Sequence, residues 1–537
     1  MKYRFLGTLI SALLTLGTAQ ATDVTVTYNG KKATVEQTVK DSVKVAVDGA
    51  KVSIESTYQA HKLSVRLTGQ SNDGQLILKT AGKAKVKLHN LTLTSQEGAP
   101  LWLKNKKKVE IVAADGTENT LTITACNDTA NHKSATIWAK DKLLLSGKGT
   151  LHVIATGDGC RGIKSKDHIT IEDLTLNVTT TGNNLGEKPF SFGGGMPPFG
   201  GMSPEGNDST QQGGFGRFGG GMPPFNPEDL PEEVKQKFEE MRKEFEEKMK
   251  NGEFPPFGGF GGMRNDSTRQ GQGGFPPFGG MGGNEEGGQS GPMGGFGGKH
   301  KYISSTKGIA SKGTITINSG NVTVRTNTPG AEGIEGKEGV ILNGGNIDVI
   351  ATDDAINANA TIQFNGANVI ARSTTNDAVD ANPQGGFFMP FGNANPTGEG
   401  QKKADPAIII TGGTVYAWSQ IGAPEEGLDC DFSPIEITGG NVFSVGAGMG
   451  DMPSVPTQET AKQPTVLLVG INIVEDQPIH LYDSKGTPIH TITVPFSLQR
   501  SSSLVTTPKF EVGNTYTLKT QGYEKTFTLN ENFTVVR

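Results

Sequence analysis

The chain is poor in cysteine: Cys126, Cys160 and Cys430 are all it has in 537 residues. Their spacing matches no zinc or redox motif, and an odd count leaves at least one thiol without an intrachain partner. Net charge is small, at -5, so no broad basic surface is expected and nucleic acid is not expected as a partner. Hydrophobic residues make up only 34%. Beyond the N-terminus no run is apolar enough to span a bilayer. Catalytic signatures are missing too. There is no Gly-x-Ser-x-Gly and no phosphate loop, and the 8 histidines are scattered without a pair at metal spacing.

What is abundant is glycine, 75 residues, much of it in a recurring phrase. The phrase is Gly-Ile-x-x-Lys, a few β-formers, Gly-Gly-Asn and a second β run. One copy starts at Gly308-Ile309-Ala310-Ser311-Lys312 and reaches Ser319-Gly320-Asn321; the next starts at Gly333-Ile334-Glu335-Gly336-Lys337 and reaches Gly344-Gly345-Asn346. Weaker copies surround Ile356, Val379 and Leu428, and an earlier one is Gly162-Ile163-Lys164-Ser165-Lys166. From Ile309 to Ile334, Ile356 and Val379 the steps are 25, 22 and 23 residues. Two or three short strands with tight corners use about that length at ~3.3 Å per residue. A leucine-rich repeat needs a denser Leu pattern, and a propeller needs about twice the period. The fold expected is therefore all-β, a parallel β-helix (solenoid). Gly344-Gly345 and Gly439-Gly440 are expected at corners with positive φ.

Residues 1–21 read as a signal peptide. Lys2 and Arg4 precede a short apolar run, and Ala19-Gln20-Ala21 is a small-residue cleavage site. No cysteine lies near that site, so a lipid anchor is not expected. The expected location is secreted, periplasmic or at a bacterial cell surface. Residues 22–182 hold N-terminal β strands with hairpin turns such as Asn29-Gly30, then first rungs from about Val86. Residues 183–299 form a low-complexity insertion rich in Gly, Phe, Met and Pro. Inside it, 227–250 is expected as one charged helix with an apolar stripe at Val234, Phe238, Met241, Phe245 and Met249. That segment reads either as a partner-docking arm or as an insertion tolerated at a corner. Residues 300–450 carry the remaining rungs, with a smaller insertion starting at Pro383. Residues 451–537 read as a linker and a small antiparallel β domain that caps the open end.

Aligning the rungs aligns side chains about 4.8 Å apart along the stack. Two positions before the buried aliphatic stand Glu332, Asp354, Asp377 and Glu426; one position after it stand Glu335, Asn357, Asp380 and Asp429. Asp353, Glu425 and Asp431 thicken the cluster. Stacked carboxylates repel, and Ca²⁺, which takes many oxygen ligands in irregular geometry, relieves the repulsion. The plainer alternative is that Asp and Asn favour corners and stay solvated. On earlier rungs the second of these columns holds Trp102, Trp138 and Lys164. Two exposed Trp on neighbouring rungs would make a flat platform for sugar rings, with Lys164 meeting a uronate carboxylate; the alternative is that the rings cover a cap or pack under a loop. Lys166, Lys312 and Lys337 recur at one place in the phrase and offer a basic stripe or a solvated face. Cys126 and Cys160 precede consecutive rungs, which leaves a disulfide and two separate thiols as alternatives, while Cys430 has inward parity and is expected as a buried thiol.

The segments Asp73-Gly74-Gln75-Leu76-Ile77-Leu78, Asn90-Leu91-Thr92-Leu93-Thr94-Ser95, Gly98-Ala99-Pro100 and Ala114-Asp115-Gly116-Thr117-Glu118-Asn119-Thr120-Leu121, with the rung phrase, carry a resemblance. So do Asp483-Ser484-Lys485-Gly486 and Gly513-Asn514-Thr515-Tyr516-Thr517-Leu518 near the C-terminus. Together they resemble the bacterial β-helix carbohydrate-binding domain family. The resemblance implies a right-handed parallel β-helix that binds calcium and acidic polysaccharide of the polygalacturonate type. It is similar in architecture to pectate lyases, in which Asp clusters hold Ca²⁺ and a basic residue takes the proton. Asp353, Asp354, Asp377 and Asp380 look like that metal cluster. Three functions are compared: a secreted, non-catalytic carbohydrate-binding protein with Ca²⁺, a calcium-dependent lyase with Lys164, Lys312 or Lys337 as base, and a surface adhesin or structural protein.

Overall fold

The computed structural model describes residues 22–126, 134–187, 302–383, 405–430, 433–446 and 454–537. Every regular element among them is a β-strand. Each central rung has three short strands, and each strand pairs in parallel with its counterpart one rung on, so the stack has three faces. The first face is an 11-stranded sheet that includes Leu101–Asn105, Ala135–Ala139, Arg161–Ser165, Lys307–Ser311, Glu332–Gly336, Ile356–Ala358, Val379–Ala381 and Leu428–Asp429. The second includes Ile315–Ile317, Val340–Leu342, Ile362–Phe364 and Ile408–Ile410; the third includes Asn321–Thr326, Asn346–Ala351, Asn368–Ser373, Thr414–Ser419 and Asn441–Val445. These two faces belong to one 23-stranded sheet. The parallel β-helix expected from the period is the architecture observed.

The core is a set of aliphatic columns. Ile163 pairs with Ile309, then Ile334, Ile356, Val379 and Leu428, and all are buried. Strand alternation sends every second residue inward, and each buried Ile or Val contributes about 1.5–3 kcal/mol. The glycine that opens the phrase fits this column for a steric reason. A Cβ on Gly308 would meet Val324 Cγ1 at 2.4 Å, and one on Gly333 would meet Val349 Cγ1 at 2.4 Å. One rung later Ala355 replaces the glycine and Ala371 replaces the valine. The added Cβ is accommodated because the side chain across the core loses its two Cγ atoms. At the corners it is the second glycine of the pair that takes the left-handed conformation, Gly345 at φ 86° and Gly440 at φ 95°.

Both ends of the stack are closed by antiparallel strands. At the start, Val24–Asn29 pairs with Lys32–Gln37, and Val43–Asp48 with Lys51–Ser56. The parallel stack begins earlier than Val86, because Lys51–Ser56 already pairs in parallel with Gln75–Thr80, and Leu63–Ser71 with Ala84–Ser95. Alternating hairpin strands and rung strands look alike in sequence, so pairing partners alone separate them. At the far end Asn441–Val445 pairs antiparallel with Leu498–Thr506, which also pairs with Thr465–Ile473. A separate 4-stranded antiparallel sheet follows from Pro478–Tyr482, Pro488–Thr493, Thr515–Thr520 and Tyr523–Thr528. Trp418, Phe443 and Val445 of the last rungs share a core with Ile479, Leu481, Phe496 and Tyr516 of this cap.

The residues flanking the long insertion belong to the fold. Leu185–Glu187 pairs antiparallel with Tyr302–Ser304, and Asn184 Oδ1 accepts the Thr306 amide at 2.7 Å. The strand Leu185–Glu187 thus lies within the span 183–299 read as the insertion. The signal peptide, the 227–250 helix, most of the second insertion and Asp431 lie outside the described residues. Among the described residues, Cys126, Cys160 and Cys430 form no disulfide. Cys126 packs against Cys160 without an S–S bond, and Cys430 is buried with its Sγ 2.8 Å from Ser433 O.

Candidate functional site

The outward column of the first face is the one the phrase predicts. Ile77 stands beside Trp102, Trp102 beside Trp138, and Trp138 beside Lys164; Ala310, Glu335, Asn357, Asp380 and Asp429 follow in order. The two rings do not form a flat exposed platform. They meet edge to face, with centroids 6.4 Å apart and planes at 78°, and Trp138 is 5% exposed while Trp102 is half-buried. Stacked at strand spacing, flat rings would clash or leave gaps, and the T-shaped arrangement favours the ring quadrupoles. Trp138 Nε1 is buried without an acceptor among the described residues. Lys104 Nζ sits 3.8 Å from the centre of the Trp102 ring, a cation–π contact. Lys164 is half-buried.

A lysine column runs two residues beyond. Lys79 pairs with Lys104. Backbone bonds then place Lys140, Lys166, Lys312 and Lys337 on successive rungs: Lys140 N donates to Leu103 O, Lys166 N to Ala139 O, Lys312 N to Ser165 O and Lys337 N to Ser311 O. The stripe expected from three lysines is therefore longer. Asn359 and Asn382 continue it where the acidic rungs begin; Asn359 Oδ1 lies 3.5 Å from Lys337 Nζ, and Asn382 N donates to Ala358 O.

The acidic residues divide into two groups. Glu332 and Glu335 are held by lysines. Lys307 Nζ lies 2.9 Å from Glu332 Oε2 and 2.7 Å from Glu335 Oε1, and Lys337 also pairs with Glu335. Burial works to raise the Glu335 pKa, but Lys307 and Lys337 outweigh it and hold the group down to about 2. Burial first, then the neighbouring Glu335, raises Glu332. Lys307 itself is raised despite burial because both carboxylates favour its charge. Lys307 and Lys337 thus supply at Glu332 and Glu335 the positive charge that a cation would bring.

The second group is buried and bound by amides. Asp354, Asp377 and Asp380 are 1%, 8% and 2% exposed, against the solvated corner that turn chemistry alone suggests. Asn376 Nδ2 donates to Asp353 Oδ1 at 2.6 Å and Asp354 Oδ1 at 2.7 Å. Asn357 Nδ2 donates to Asp354 Oδ2 at 2.7 Å and Asp380 Oδ2 at 3.1 Å, and Asn382 Nδ2 to Asp380 Oδ1 at 2.6 Å. Asp377 Oδ1 accepts the Glu426 amide at 2.5 Å. Ser454 closes over the end, its N on Glu426 Oε2 at 2.5 Å and its Oγ on Asp429 Oδ1 at 2.9 Å. Asp377 is pushed well above the usual carboxylate range, by burial first and then by Asp429 and Asp380. Among the described residues no group of three or more His, Cys, Asp or Glu converges as a metal ion requires. Binding a cation at Asp377, Asp380 and Asp429 thus requires these side chains to turn toward one another. Asn376 and Asn382 were missed in the sequence; their recurrence beside stacked acids was the available signal.

With this geometry in place, comparison with known proteins adds three findings. A family model described as carbohydrate-binding domain-containing protein matches residues 48–195 and 284–381. A carbohydrate-binding domain-containing protein of Acetivibrio thermocellus is 28% identical over 138 residues, 25% of this chain and 48% of the relative. The chain thus spans about half the length of that curated relative. The solved structure of the polysaccharide lyase-like protein from C. thermocellum, a gadolinium derivative, aligns at 16% identity and TM-score 0.36, covering 65% of this chain and 90% of that one. The chain is similar, over just under half its length, to carbohydrate-binding domain-containing proteins.

Proposed function

We propose that this is an exported, non-catalytic carbohydrate-binding protein whose first face takes an acidic, uronate-containing polysaccharide with Ca²⁺. The observation that carries the reading is the charge order along one face. Trp102, Trp138 and Lys164 stand in one column beside the lysine column, and carboxylates replace them on later rungs. A polyanion meets lysine directly on the earlier rungs. On the later rungs Ca²⁺, held by Asp377, Asp380, Asp429 and Glu426, supplies the positive charge that the carboxylates lack. Asp353 and Asp354 support that set through Asn376. The similarity to carbohydrate-binding domain-containing proteins supports the ligand class.

Incubation with polygalacturonate, with and without Ca²⁺, tests the reading. Retention on the polymer that chelator weakens, with no unsaturated product, is the expected result. Product formation would replace it with a lyase, and no retention under either condition would remove it. Lys140→Ala with Lys312→Ala is expected to weaken retention by roughly three- to tenfold, since each exposed charge contributes at most about 1 kcal/mol.

A further inference from the structure

The third face carries a groove that the first-face reading does not use. It has a volume of about 470 Å³ and runs across four rungs, from Asn321 and Thr323 to Thr414 and Tyr416. That lies within the ~300–1,000 Å³ of small-ligand clefts. One wall is an asparagine ladder. Asn346 Nδ2 donates to Asn321 Oδ1 at 2.9 Å, and Asn368 Nδ2 to Asn346 Oδ1 at 3.1 Å. A carboxamide has two N–H donors and two acceptor lone pairs. The ladder uses one of each at Asn346, fixes the amide plane and leaves the others unspent. The ladder residues are exposed.

Beside the ladder the outward residues run Thr323, Asp348, Ile370 and Tyr416, polar on the first two rungs and apolar or aromatic on the last two. Ile370, 38% exposed, stands between Asp348 and Tyr416 in the outward register. Tyr416 is fixed before any ligand arrives. Its ring stacks on Trp418 at 5.7 Å and 11°, and its hydroxyl lies 2.9 Å from His490 Nε2 of the cap. Charge in the groove is cancelled internally, since Asp348 pairs with Arg325. A polar ladder facing an aliphatic and aromatic strip, without net charge, complements an uncharged ligand with hydroxyl edges and an apolar ring face. The first face, with its lysine column, has the opposite preference.

We infer that this groove binds a neutral glycan strand, with ring faces on Ile370 and Tyr416 and hydroxyls on Asn321, Asn346 and Asn368. The inference is independent of the acidic-polysaccharide reading, because it uses different residues, a different face and no cation.

Affinity electrophoresis of the full chain in gels containing hydroxyethylcellulose, xyloglucan, galactomannan or β-1,4-galactan tests it. Retardation by at least one polymer is expected, unchanged by EDTA and by Trp102→Ala. Ile370→Glu is expected to weaken it by about tenfold or more, as loss of a central apolar contact does, with an unaltered melting curve. Asn346→Ala serves as the second variant if Ile370→Glu fails to fold, and is expected to weaken retardation in the same polymer. Absence of retardation in all four polymers overturns the inference, as does retardation that Ile370→Glu and Asn346→Ala leave intact or that Trp102→Ala removes. Self-association in sedimentation that Ile370→Glu abolishes also overturns it, by assigning the groove to a second copy of the chain.

Discussion

Single residues in this fold are constrained from two directions, by the core of their own rung and by the backbone of the next. Gly333 shows both: its missing Cβ leaves room for Val349 Cγ1, and the Ala355 carbonyl would lie 2.5 Å from that Cβ. Gly333→Ala is expected to destabilise by about 1–3 kcal/mol, the range for overpacking. Adding Val349→Ala should recover only part, since the carbonyl contact remains. A double-mutant cycle by urea denaturation measures the coupling, and strict additivity would contradict the steric account. Glu335 gives a second test. Its folded pKa, about 2, is depressed, so its stabilising contribution is complete above the unfolded value and is lost as pH falls from about 4.5 toward 2. Glu335→Gln is therefore expected to cost roughly 3 kcal/mol at neutral pH, as breaking a buried pair does, and progressively less in acid. Asp377 has the opposite sign. Its folded pKa is raised, so ionising it in the fold is unfavourable as pH rises. Without Ca²⁺, Asp377→Asn should raise the melting temperature at neutral pH, and it should abolish any shift that Ca²⁺ produces in the parent.

At the scale of the element, the repeated phrase made most of the architecture legible. Ile309, Ile334, Ile356 and Val379 gave the register, and the observed pairing follows it residue for residue. What surrounds the outward residues was not legible. Period-two alternation says which way a side chain leaves the strand, but not whether another segment covers it. Hence Trp138 and Asp380 read as exposed and are buried. The third-face groove escaped notice because Asn, Ile and Tyr at outward positions look like ordinary alternation. Lys307 stands in the same column as Glu332, yet its pairing with both Glu332 and Glu335 was not legible, because that contact bridges two rungs. Cys126 and Cys160 sit side by side on such neighbouring segments. Their mutual hydrogen bond first, and burial second, raise the Cys160 thiol, so it resists alkylation at neutral pH. Mild oxidant is expected to link the two, read as loss of two hydrogens by intact mass with Cys430 unchanged; a Cys430-linked product would contradict the packing.

For the whole molecule, termination matters as much as repetition. An open parallel stack presents unpaired strand edges that invite further pairing. Here the hairpins at one end and Leu498–Thr506 at the other convert parallel edges into antiparallel ones. Deleting residues 465–537 removes that partner and exposes Phe443 and Trp418, and the product is expected to aggregate on gel filtration. The long insertion behaves differently, because Leu185–Glu187 and Tyr302–Ser304 already pair across its base. Replacing residues 188–301 with Asn-Gly should leave the melting temperature within a few degrees. A large fall would mean that the insertion contributes to the stability of the helix.

The glycine–valine exchange bears on how such a chain changes over generations. Because Gly308 meets Val324 and Gly333 meets Val349 within the same turn of the coil, each turn carries its own steric complement. A duplicated segment of 22 to 25 residues, the interval between successive buried aliphatics from Ile309 to Val379, arrives with its core already matched. It also lengthens all three faces at once. Inheritance can therefore act on this protein by whole turns, extending a lysine column and an asparagine ladder together without any new core having to be found.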